Sequence, residues 1–179
     1  MGFLACKNKA ENENAIPRSS SGTYFSIIDF TKDQWATYHG QPFSLQRITT
    51  FNGQQDSVML SALKMQWSTI FKKFFETDIS DPKYLNQYDF STFEEPTTQA
   101  RTFTYTAKKP ELFTQKLEIT ADLYTRKIRS IYIETQKNTF WNKQSQKLLY
   151  APLRVIQIHE WNDPKIGTDK DLLVEYRFD

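Results

Sequence analysis

The chain of 179 residues has one cysteine, two histidines and five glycines, and each scarcity closes off a class of chemistry. A single thiol permits no intrachain disulfide, no CxxC redox pair and no zinc-finger spacing. Five glycines argue against a glycine-rich phosphate loop, and neither GxSxG nor HExxH occurs. No apolar run approaches the ~20 residues of a membrane-spanning helix. Charge of one sign is not in excess either. The 23 basic and 21 acidic residues leave a net +2, whereas nucleic-acid binding draws most of its affinity from a massed basic surface.

What is present is aromatic and polar. Phe 14, Tyr 9 and Trp 4 make up 15% of the chain, ample for one core in a chain of single-domain length. The densest basic run is Arg126-Lys127-Ile128-Arg129, flanked by Lys116 and Lys137. A solvated strand or turn is its ordinary reading, and an anionic partner site the alternative.

Residues 1–22 differ from the rest. Phe3-Leu4-Ala5-Cys6 has the form of a lipobox, apolar residues and a small residue before a cysteine that accepts lipid. The following residues are polar and carry Pro17 and a Ser19-Ser20-Ser21-Gly22 run, the composition of a flexible tether. Residues 1–22 are therefore expected to be a truncated signal with its lipobox and tether, because only five residues precede Cys6. Lipid attachment is assigned to Cys6. A myristoylation signal at Met1-Gly2 fits less well, since Cys6 stands where Ser or Thr is usual.

Residues 23–179 are expected to form a single α+β domain. Thr31-Lys32-Asp33-Gln34 fits a capping box with Thr31 as N-cap, and Gly40 and Pro42 stop that helix. Asn52-Gly53 predicts a hairpin over residues 43–61. Trp67, Ile70, Phe71 and Phe74 form an i, i+3, i+4, i+7 stripe, predicting the main helix over residues 62–78. From residue 86 the apolar period falls to two, as in Phe103, Tyr105, Ala107 and again in Phe113, Gln115, Leu117, Ile119, Ala121. Leu172, Val174, Tyr176 and Phe178 repeat the pattern near the end. Residues 129–135, 140–142, 147–150 and 153–161 also read as extended, with turns at 108–110, 124–126, 142–146 and 162–170. Strands joined without helices make an antiparallel meander. The expected architecture is a curved, half-barrel-like antiparallel sheet with about two helices packed on one face.

Candidate chemistry is thin. His39 stands at a helix end, where a donor suits the terminal carbonyls. His159 and Glu160 alternate on a strand and point to opposite faces. Glu94-Glu95 read as a loop before Pro96, and Glu118 with Asp122 as a solvated strand face. No catalytic residue, metal site or cofactor is expected, and the chain is not expected to be an enzyme. The surplus aromatics remain. They make either a dry core or, in a curved sheet under a helix, a hydrophobic cavity. Phe103, Tyr105, Leu117 and Tyr176 are the candidate ligand-binding residues of such a cavity.

The lipobox at Cys6, the polar tether, the helix carrying Trp67 and Phe74-Phe75 before Asp78-Ile79, and the late Leu149-Tyr150-Ala151-Pro152 segment together resemble the uncharacterised exported lipoproteins common in Bacteroidota. In element order the chain is also similar to the half-barrel lipoprotein carriers that chaperone acyl chains, a fold-level likeness that transfers no site residue. The resemblance implies a non-catalytic cell-envelope domain, lipid-anchored on the periplasmic or outer-membrane side. It would bind an apolar or amphipathic, lipid-like ligand. The alternative is an interaction module that docks a protein partner; nucleic acid is not expected.

Overall fold

The computed structural model describes residues 24–179, so Cys6 and the lipobox and tether expected around it lie outside the described residues. Among the described residues are two α-helices, α1 (Ile27–Tyr38) and α2 (Trp67–Phe75), and nine strands. The strands are β1 (Ser44–Phe51), β2 (Gln54–Ser61), β3 (Tyr88–Glu95), β4 (Ala100–Ala107), β5 (Thr114–Asp122), β6 (Ile128–Asn138), β7 (Asn142–Ala151), β8 (Val155–Pro164) and β9 (Lys170–Phe178). They form one antiparallel sheet in the order β2-β1-β9-β8-β7-β6-β5-β4-β3. The meander runs from β3 to β9, and the β1–β2 hairpin adds beside β9 through pairs from Leu45↔Phe178 to Phe51↔Leu172. β2 and β3 are left as free edges, so the sheet is open.

The α+β architecture matches the expectation, and the local causes are visible. The hairpin turn is at Asn52-Gly53, both with positive φ (48° and 84°), as a two-residue turn of this type demands. α2 buries Ile70, Phe71 and Phe74 and leaves Trp67 half-buried, the predicted stripe. It is shorter than expected. A 3₁₀ turn, Ala62–Lys64, precedes it, and the Trp67 indole donates to the Ala62 carbonyl at 2.9 Å, closing the break.

The capping box is displaced. Ser26, not Thr31, caps α1 and accepts from the Asp29 amide. Thr31 is buried inside the helix and donates to the Ile27 carbonyl at 2.7 Å. A Thr-x-x-Gln spacing is satisfied equally by a mid-helix threonine bonding back four residues. The real N-terminus is held by Asp78, which follows α2. Its Oδ2 accepts from the Ile28 amide at 2.8 Å and from the Ser26 hydroxyl, and its Oδ1 accepts from the Ser80 amide and hydroxyl.

In β5 the expected alternation is broken at its start. Thr114 pairs with Thr135 and Lys116 with Glu134, so Gln115 is an extra residue in a β-bulge. Thr114 therefore faces inward, buried, and donates to the Thr77 carbonyl at 2.9 Å. Two expected turns also shift. Residues 142–146 belong to β7, and the turn lies at residues 139–141; β8 extends to Pro164 before its turn. Glu94 and Glu95 end β3 rather than a loop, and Glu94 pairs with Arg101 on the neighbouring strand.

Both helices cover the same face of the sheet. Beneath them Leu117, Ile119, Ile131, Ile133, Leu148 and Ile156 are almost wholly removed from water, with Phe25, Ile27, Phe30 and Phe74 packed above. Tyr150 is ringed by Phe30, Phe71 and Phe74, at centroid distances of 5.8, 6.2 and 6.1 Å. Burial holds its hydroxyl pKa well above the ordinary phenol range.

Candidate functional site: a mixed pocket at one end of the sheet

The inward face changes character along its strands. On β7 the inward residues run Gln144, Gln146, Leu148, Tyr150; on β8, from the opposite direction, Ile156, Ile158, Glu160, Asn162. The apolar halves lie under the helices. The polar halves, paired Gln144↔Asn162 and Gln146↔Glu160, lie beyond the reach of α1 and flank the C-terminal half of α2. There a pocket of about 310 Å³ opens, its lining including the apolar Phe51, Phe113 and Leu172 and the charged Lys137, Lys170 and Glu160. That is the lower end of the usual size of small-molecule sites. Phe51 on β1 and Thr135 on β6 line the same pocket although four strand spacings separate them, about 19 Å in a flat sheet. The curvature of the sheet brings them together.

One wall is fixed by a chain of hydrogen bonds. The Thr135 hydroxyl donates to Gln146 Oε1 at 3.4 Å, and Gln146 Nε2 donates to Glu160 Oε1 at 2.8 Å. Lys73, in the last turn of α2, reaches the same Glu160 oxygen at 2.7 Å. Glu160 is thereby neutralised. Lys137 and Lys170 have no carboxylate partner among the described residues. The pocket thus carries three lysines against one glutamate. Asn162 Oδ1, on the same wall, is buried without a hydrogen-bond partner among the described residues. Leaving such an acceptor unmet costs about 1–3 kcal/mol, relieved when an occupant or a water donates to it. A wider groove of about 740 Å³ continues past Phe113 and Lys137 towards Glu76 and Glu111.

The residues singled out from the sequence fall elsewhere. Phe103, Tyr105 and Leu117 come together on neighbouring strands, with Tyr105 opposite Leu117. Leu117 is fully buried in the core. Phe103 and Tyr105 stand half-buried against Phe90 of the edge strand, at 6.4 and 5.0 Å between centroids. Tyr176 is on β9, five strands from β4, beside Ile156. None of the four lines the pocket described above. The sequence signal for the pocket was the polar end of two alternating rows. Reading 142–146 as a turn hid half of it.

Other chemistry is paired off. His159 is on the outer face, its Nε2 2.6 Å from Asp171 Oδ1 and its ring 3.6 Å from that of Trp161; Glu160 points the other way, into the pocket. His39 caps α1 and rests on Trp35. Ser61-x-x-Lys64 and Ser80-x-x-Lys83 have the SxxK spacing of some serine nucleophiles. Ser61 caps the 3₁₀ turn, however, and Ser80 is bound to Asp78. Of the basic run, Arg129 is held by Asp122 at 2.5 Å, and Lys116 is paired with Glu118. No cluster of three or more metal-ligating side chains occurs among the described residues, nor does a helix long and apolar enough to cross a membrane.

Searched against family models, curated proteins and solved structures, the chain matches none. The reading of the pocket therefore rests on its chemistry.

Proposed function

We propose that this is a non-catalytic, lipid-anchored domain of the cell envelope that binds an amphipathic small molecule on the inward face of its curved sheet. The occupant we favour has an apolar body and an anionic head. The observation that carries this reading is the mixed lining of the 310 Å³ pocket, where Phe51, Phe113 and Leu172 occur together with Lys137 and Lys170. Apolar side chains at a site exclude water from the body of a ligand, and a few placed charges fix its orientation. The lipid anchor is Cys6, on the strength of the lipobox; metabolic labelling with an alkyne fatty acid should mark the wild type and leave Cys6→Ser unmarked.

Native mass spectrometry of the full chain purified from bacteria without detergent tests ligand carriage. A reproducible added mass that extracts into organic solvent supports it. A bare mass that stays bare when fatty acids and lysophospholipids are added sinks it.

A second reading, a protein-docking module, is favoured by the β3 edge, where Phe90 and Phe93 are 54% and 64% exposed. A free edge with apolar side chains is the template for strand addition.

A further inference from the structure

The turns at the pocket end of the sheet carry a second feature. Phe140, Trp141 and Ile166 are 71%, 63% and 81% exposed, and they meet at one tip. Phe140 and Trp141 pack edge to face at 4.7 Å. The Lys165 amide donates to the Trp141 carbonyl at 2.9 Å, tying the β8–β9 turn to the β6–β7 turn, and Lys165 Nζ sits 4.0 Å from the centre of the Phe140 ring. The β6–β7 turn is itself closed: the Thr139 amide donates to the Asn142 carbonyl at 2.8 Å, and the Asn142 amide to the Thr139 hydroxyl at 3.1 Å. The apolar side chains are therefore displayed on a braced backbone. Around them stand Lys137, Lys143, Lys165 and Lys170 against two carboxylates, Asp163 and Asp169.

We infer that this tip inserts into the surface of an anionic lipid bilayer. Tryptophan with a neighbouring phenylalanine suits the polar–apolar boundary of a membrane, and lysines beside them meet anionic headgroups. A protein partner would need a much larger patch, about 800 Å² a side, than three side chains on a projecting tip provide. The tip also lies next to the pocket. Asn142 and Pro164, at the base of the two turns, are two rungs beyond Gln144 and Asn162, which line it. Docking would set the pocket mouth against the lipid surface. The membrane contact is nonetheless independent of what the pocket holds.

The test uses the full chain carrying Cys6→Ser, so that no acyl anchor contributes. It is sedimented with vesicles of phosphatidylcholine alone or with about one third phosphatidylglycerol; the net excess of two lysines predicts about tenfold or more tighter binding to the anionic vesicles. Tryptophan emission should shift to the blue on binding, and Trp141→Phe should bind while losing that shift. Phe140→Ser/Trp141→Ser should stay in the supernatant with an unchanged melting temperature. Equal binding to both vesicle types, no binding at all, or full binding by the double serine variant would each overturn the inference.

Discussion

Asp78 joins two elements 50 residues apart in the chain, for its carboxylate accepts the Ile28 amide at the start of α1 while closing the Ser80 turn after α2. A helix start leaves amides without partners, and a carboxylate there satisfies them and meets the positive end of the helix. Asp78→Ala should lower unfolding stability by about 2 kcal/mol in denaturant titrations. Asp78→Asn, which keeps an acceptor and loses the charge, should cost about 1 kcal/mol. An alanine variant as stable as the wild type would show that Ser26 alone caps the helix.

Asp122 offers a prediction in pH. The Thr125 amide, then the Arg129 guanidinium, hold its carboxyl well below the usual carboxylate range. The folded pKa is below the unfolded value of about 3.9. Its contribution is therefore present above that pH and lost as pH falls through the folded value. Stability of the wild type should fall more steeply than that of Asp122→Asn below about pH 4, read from melting temperatures. Parallel curves would contradict the assignment.

At the scale of elements, α2 was legible because its four apolar residues recur at helical spacing. Its true start was not, because apolar spacing does not record the break at Met65-Gln66, across which the Trp67 indole bonds to the Ala62 carbonyl five residues back. The hairpin was legible from Asn52-Gly53 alone. α1 was placed five residues late: Ser26-x-x-Asp29 is a local cap spacing like that of Thr31, and the Asp78 contact that fixes Ser26 as the start comes from 50 residues away, which no local spacing records. The same holds for β5, where the bulge at Gln115 turns Thr114 inward without a change in composition. α2 should also be the element that secures the core. Phe74 is 1% exposed and packs on Tyr150. Phe74→Ala should cost about 3–5 kcal/mol in chemical denaturation. A loss under about 1 kcal/mol would mean that the helix is not packed as described.

For the whole molecule, the antiparallel meander with helices on one face followed from a switch in apolar period and from short connections. The placement of the first hairpin beside the last strand did not, because that pairing joins opposite ends of the domain. It matters for the pocket, since it brings Phe51 next to Leu172, two of the apolar residues that line it. The aromatic residues chosen from the sequence, Phe103, Tyr105, Leu117 and Tyr176, were chosen for alternation, which marks a buried face and cannot distinguish a filled interior from an open one. Lys137 and Lys170 could be distinguished only once the sheet order placed them around one opening.

The most direct test of the proposed binding role is photocrosslinking with a diazirine-bearing fatty acid, followed by peptide mapping of the labelled full chain. Our reading places the label on the peptides bearing Phe51, Phe113 and Leu172, with competition by unlabelled fatty acid and a clear reduction in Lys137→Ala/Lys170→Ala. Label confined to other peptides, such as those bearing Phe103 and Tyr105, or label that unlabelled fatty acid does not displace, would contradict it.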